Sequence, residues 1–226
     1  QKTQGDPEQI IELAQLILRQ PSLSPMSRLR VQLARIEALR LTGQINRAGI
    51  ALGWLLALAE ESGEPKFYAD CLIEAAHLRI EEGQQEVAED YLEKARRVYT
   101  GIGSPGGCAR ALTMLGQALI QHGEYKNAAV TLQRALYTHQ ENSNRMGQAD
   151  VILQMAILAT REKRYAQTHA YLDQAEELYE LSNHRQGKMA TLFTRGELYY
   201  EEDRRDSALE ILEEALRYAK ELKAPH

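Results

Sequence analysis

The residues most able to do chemistry are few and widely spread. His77 stands one helical turn before Glu81 and close to Glu74, a spacing that could hold zinc weakly or tune a proton. A lone histidine of this kind more commonly only hydrogen-bonds. His122, His139, His169 and His184 fall in turns or on outer helices, and no metal spacing links them. Cys71 and Cys108 have no close spacing, no cationic neighbours and no histidine base beside them, so they read as buried or semi-buried thiols of a reducing compartment. The adjacent carboxylates Glu81 and Glu82, Glu201 and Glu202, and Glu213 and Glu214 point to different faces of a helix and cannot act as a pair. Gly101-x-Gly103-x-x-Gly106 spells the dinucleotide-binding string, but that site needs a strand before it and a helix N-terminus aimed at the pyrophosphate. Here a helical segment precedes it and Pro105 stiffens it, as in a turn. No catalytic residue, metal or cofactor is expected.

The composition agrees with a helical, non-catalytic chain. Of 226 residues, 44% are apolar, and Leu and Ala supply 60 of them against five Val, which favours helices over sheets. The uncharged runs Ala48 to Ala59, of twelve residues, and Ala111 to Gly123, of thirteen, are both short of the roughly 18 a membrane helix needs. A net charge of −5 provides no field to collect polyanions, so neither nucleic acid nor membrane is an expected partner. Arg28, Arg30, Arg35, Arg40 and Arg47 form a local basic cluster, either an anion site or a solvated face. Cysteine usage and the lack of a leader point to the cytoplasm.

What organises these residues is a 40-residue period. Gly43, Gly83, Gly123, Lys163 and Asp203 share one phase. Five residues later come Ala48, Ala88, Ala128, Thr168 and Ala208, and four further on Leu52, Leu92, Leu132, Leu172 and Leu212. Twelve residues before the Ala phase stand Ala76, Gly116, Ala156 and Gly196, with Ile36 the exception. Apolar residues within each copy step by three and four, the stripe of an amphipathic helix, and each copy holds two such helices. Gly43, Gly83 and Gly123 cap the first helix. Segments 61–66, 101–107, 141–147 and 181–187 are the turns between copies. The small residue is expected to face the Ala twelve positions on, with the Leu filling space toward the next copy.

This pattern, with Tyr125 and Tyr165 at the turns, resembles the tetratricopeptide repeat over residues 28–222. It differs in its 40-residue period and in lacking a Pro at Thr100, Gln140, Glu180 and Lys220. In this it is similar to the repeats of kinesin light chains, of polarity adaptors that bind heterotrimeric G-protein regulators, and of the sensor arms of bacterial signal-transducing ATPases and transcription activators. The resemblance implies an all-α, right-handed superhelical solenoid of about 11 helices in one domain, 1–226. Its hairpins are 28–60, 67–100, 107–140, 147–180 and 187–223. Gly5, Ile10, Ala14 and Ile17 repeat the second-helix offsets, so 6–20 reads as a half repeat of a chain cut from a longer solenoid, or as a capping helix.

In such solenoids the first helices line the concave groove. By phase, the groove residues are Arg30, Leu33, Glu37 and Arg40 in the first copy; Asp70, Ile73, His77 and Glu81 in the second; and Arg110, Thr113, Gln117 and Gln121 in the third. The fourth copy adds Asp150, Leu153, Ile157 and Arg161, and the fifth Phe193, Glu197 and Tyr200. A partner peptide would seat apolar side chains on Leu33, Ile73, Ile120, Leu153, Ile157 and Phe193, with its charges on the flanking ions. The Lys and Asn clamp of repeats that grip chaperone tails is replaced by Ile73 with His77 and Thr113 with Gln117. The expected role is a non-catalytic scaffold for a protein or peptide, or for other domains of a longer regulatory or signalling chain. Two alternatives stay open. One is a small-molecule effector arm, favoured by the aromatic cluster Phe193, Tyr199 and Tyr200; the other is a structural dimerisation segment using the apolar helix Ile50 to Ala59, which would make the chain a homodimer.

Overall fold

The computed structural model describes residues 6–223, with side chains to 220; Gly5, which opens the expected half-repeat signature, lies outside the described residues. Eleven helices and no strand occur among these residues. They are α1 (Pro7–Leu18), α2 (Pro25–Leu41), α3 (Ile45–Glu61), α4 (Pro65–Glu81), α5 (Gln85–Gly101), α6 (Pro105–His122), α7 (Tyr125–Glu141), α8 (Arg145–Arg161), α9 (Tyr165–Leu181), α10 (Arg185–Glu201) and α11 (Arg205–Lys223). They form two compact units, α1–α5 up to Ser104 and α6–α11 from Pro105, where the sequence suggests one domain.

The structural period is half the sequence period. From Pro25 to Arg205 a helix begins every 20 residues, and the residue at positive φ recurs with the same step. It is Gly at 43, 63, 83, 103 and 123, then Ser143, Lys163, Asn183 and Asp203. At eight of these nine positions the residue after it donates its N–H five residues back, as Gln44 to Leu39 and Glu124 to Leu119, both at 2.8 Å, closing a Schellman motif; after Gly63 the Glu64 N–H donates to Ser62 Oγ (3.2 Å). Because this backbone closes carbonyls that would otherwise be orphaned, the left-handed position persists where four copies have lost glycine. Gly103, the centre of the dinucleotide-like string, is one of these turns (φ 63°).

Ala48, Ala88, Ala128, Thr168 and Ala208 are buried, as are Leu52, Leu92, Leu132 and Leu172. Within the second unit α6 pairs with α7, α8 with α9 and α10 with α11. The expected contact of the small residue needs correction. A Cβ on Gly116 would come within 2.6 Å of Leu132 Cγ, and one on Gly196 within 2.7 Å of Leu212 Cγ, so the Leu phase, expected to fill space toward the next copy, covers the glycine of its own hairpin most closely. A long helical side chain leans toward its own N-terminus and covers the preceding turn, the turn that carries the alanine.

Aromatic residues supply a second close approach. A Cβ on Gly187 would strike the Tyr179 ring, with Cζ at 2.6 Å, and one on Gly147 would strike the His139 imidazole, with Nε2 at 2.7 Å. The buried Tyr99 and Tyr179 donate their hydroxyls to Asp70 Oδ1 (2.5 Å) and Asp150 Oδ1 (2.7 Å). Burial pushes the Tyr179 phenol up, and the Asp150 charge adds to it. His139, expected on an outer position, is buried, and burial lowers its pKa. Tyr137 is exposed.

Candidate functional site: the first-helix faces

In the first unit the face is carried by α2 and α4. Arg30 and Glu37 are exposed, and Leu33 packs against the core. Arg40, largely buried, reaches from α2 to α4, its Nε 2.6 Å from Glu74 Oε1 and its Nη1 2.7 Å from Glu81 Oε1. Both carboxylates considered for His77 are therefore held by an arginine. Burial works to lower the Arg40 pKa, but the charges and hydrogen bonds of Glu74 and Glu81 together outweigh it and hold the guanidinium firmly charged. Burial also pushes the neighbouring Cys71 thiol up to about 12, with the charges of Asp70 and Glu74 adding to it, which leaves little thiolate for nucleophilic attack. Asp70 receives the Tyr99 hydroxyl. Ile73, expected to receive a partner's side chain, is 5% exposed and belongs to the core.

The second unit carries its face on α6, α8 and α10. Arg110 and Gln121 are exposed and Gln117 is half-buried. The Thr113 hydroxyl donates to Ala109 C=O (2.9 Å). Asp150 accepts from Tyr179. Leu153, 7% exposed, and Ile120, 5% exposed, are core residues, so neither offers a surface to a partner. These burials correct the expected apolar row: on a face where first helices touch one another, as α8 touches both α6 and α10, a central aliphatic is covered by the neighbouring helix before any ligand arrives.

Between α8 and α10 the face opens. A cavity of about 310 Å³ is bordered by Ile157, Thr160 and Arg161 on one side and by Phe193, Glu197, Tyr200 and Glu201 on the other. Gly196 and Leu212 complete its wall. Five residues expected in the groove, Ile157, Arg161, Phe193, Glu197 and Tyr200, are thus brought together. Phe193 is 53% exposed and Tyr200 67%, separated by seven positions and hence on one side of α10. Arg161 stands across from Glu197 and Glu201 with no ion pair among the described residues. Lys163 also lines the cavity; the sequence placed it only in a turn, and its position at the left-handed residue after α8 is what directs it there.

The aromatic cluster expected on α10 divides. Tyr199 turns away from the cavity, its ring 5.7 Å from that of His169 and 4.2 Å beneath the Arg204 guanidinium. His169 also reaches Glu202, with Nε2 3.1 Å from Oε1. Among the described residues no three His, Cys, Asp or Glu side chains converge as a metal site, and no helix is long and apolar enough to cross a membrane.

Comparison with known proteins agrees with this architecture. The BtubC (BKLC) protein of P. vanneervenii superposes with a TM-score of 0.67 at 15% identity, over 97% of this chain and 91% of that one. A Rap protein in complex with Competence and Sporulation Factor superposes with a TM-score of 0.81 at 16% identity, over 94% of this chain and 59% of the Rap chain. A signal transduction ATPase with numerous domains and a tetratricopeptide repeat sensor, from Pyrococcus horikoshii, gives 0.67 at 14% identity, over 97% and 36% respectively. No curated protein sequence matches the chain. The tetratricopeptide repeat model matches residues 190–222, which span α10 and α11. The model of the soluble NSF attachment protein, SNAP, matches residues 36–179, well over half the chain. The chain therefore belongs to the soluble NSF attachment protein (SNAP) family, as a tetratricopeptide-like array of helix pairs.

Proposed function

We propose that the chain is a non-catalytic interaction scaffold that binds a peptide or protein segment on its first-helix faces, with the α8–α10 cavity as the principal anchor. One observation carries the reading: an open hollow that pairs exposed aromatics, Phe193 and Tyr200, with cationic and acidic groups on opposite sides. Apolar anchors in a pocket rimmed by charges are the usual source of affinity in peptide recognition. A volume of about 310 Å³ suits one or two side chains of a segment that continues along the helices. A peptide with an apolar anchor, an acidic residue for Arg161 and a basic residue for Glu197 and Glu201 fits this chemistry. The Rap protein with a similar fold was crystallised in complex with another factor, which supports a binding role for such arrays.

A small-molecule effector is the second reading. The separation of Tyr199 from Phe193 and Tyr200 removes the aromatic cage that favoured it. The test is selection of a random peptide display library on the whole chain, followed by titration of the best peptide. An apolar–acidic–basic consensus whose affinity falls at least about tenfold in Phe193→Asp, a loss of 1.4 kcal/mol or more, supports the scaffold. Peptides that bind equally to Phe193→Asp contradict it.

A further inference from the structure

On α3 a row of side chains points to solvent that the fold does not use. Ile50 is 71% exposed, Trp54 75% and Leu58 50%; Trp54 is the chain's one tryptophan. The repeats provide an internal control. At the phase of Trp54 the other second helices place Lys94, Arg134 and Gln174, all exposed, and the half-buried Glu214. The hairpin therefore folds with a polar residue at this point, and the apolar row of α3 serves something other than its own packing.

The row is symmetric about Trp54. Ile50 and Leu58 lie four residues before and after it, and exposed Arg47 and Glu61 lie seven before and after. With about 100° per residue, all five fall within roughly 40° of one line along the helix. The two ends carry opposite charge and the middle is apolar. A stripe of this kind is complementary to itself when reversed: Trp54 meets Trp54, Ile50 meets Leu58, and Arg47 of each chain meets Glu61 of the other. We propose that α3 is a homodimerisation surface, and that two copies of the chain pair antiparallel across a two-fold axis at Trp54. An isologous contact needs this palindromic order, with each residue answering its mirror position. Gly53 and Ala57, along the flank of the stripe, let the second helix come close; no atom lies within 4 Å of where a Gly53 Cβ would be. The surface is on the first unit and does not depend on the α8–α10 cavity.

A single helix pair falls below the roughly 1,200 Å² of a permanent complex, so the dimer forms reversibly, at about micromolar concentrations and above. Sedimentation velocity and tryptophan emission on the full chain over a dilution series test it together. The wild type is expected to pass from monomer to dimer as concentration rises, with the Trp54 emission moving to the blue over the same range. Trp54→Lys, which copies the residue α5 carries at this phase, is expected to stay monomeric with unchanged helical circular dichroism. Arg47→Glu sets two like-charge pairs across the axis and should weaken the dimer at least about fivefold, and adding Glu61→Arg should restore it. A strictly monomeric wild type, a dimer that survives Trp54→Lys, or a charge reversal that gives no rescue overturns the proposal.

Discussion

Helices α2 and α4 in the first unit and α8 and α10 in the second are built to one plan, yet they treat their charged residues in opposite ways. On the first face Arg40 spans the two helices and is taken by Glu74 and Glu81. On the second, the same kinds of residue, Arg161 with Glu197 and Glu201, border an open hollow. The difference follows from reach and burial. Arg40 meets a carboxylate that is itself buried, and a charge removed from water holds its partner tightly. Arg161 is exposed and keeps its hydration. One plan thus produces a face that holds itself together and a face that stays open.

Arg40→Ala is the severest way to break this contrast. It leaves Glu74 buried without its cation and should cost about 3–5 kcal/mol, read as the loss of unfolding free energy in denaturant. A cost below about 1 kcal/mol, the range of an exposed pair, would say that the two faces do not differ. The cores beneath them should be alike: Leu52→Ala in the first unit and Leu132→Ala in the second remove buried side chains at one phase and should each cost about 2–5 kcal/mol. Gly187→Ala drives a methyl into the Tyr179 ring and should cost about 1–3 kcal/mol; an unchanged melting temperature would refute the close approach there.

Acid should act through His139. Burial lowers its pKa in the folded state, so the unfolded chain takes up the proton first and stability falls as pH drops through the ordinary histidine value. Between about pH 7 and pH 5 the wild type should lose more stability than His139→Phe, measured as the shift of the denaturation midpoint. Smallest of all, Arg161→Glu should leave stability within about 0.5 kcal/mol while changing the charge preference of bound peptides.

Much of this architecture is legible in the sequence, because helix stripes and caps depend on neighbours three to five residues away. The small, Ala and Leu phases locate the helix pairs, and Gly43, Gly83 and Gly123 locate their ends. The 20-residue step is hidden, since the left-handed residue of the inter-repeat turns changes from Gly63 to Ser143 and Asn183, and only the backbone reveals that these do the same work. Phase also brings Ile157, Arg161, Phe193, Glu197 and Tyr200 to one hollow. It cannot show what each long side chain reaches. The Tyr99–Asp70 and Tyr179–Asp150 bonds join residues 29 apart on different helices, and their one sequence signal is the recurrence of Asp and Tyr at an 80-residue spacing. Ile73 and Leu153 share a phase with Phe193, yet their burial depends on how closely the neighbouring first helix packs.

If recognition belongs to the open face of the second unit, one titration separates that face from the closed one. The affinity of a library-selected peptide should fall at least about tenfold in Tyr200→Asp, a loss of 1.4 kcal/mol or more. In Glu37→Lys, an exposed change on the closed face of the first unit, it should stay within about twofold, a difference of under 0.5 kcal/mol. The reverse order, with Glu37→Lys abolishing binding and Tyr200→Asp leaving it intact, would place recognition on the first unit instead.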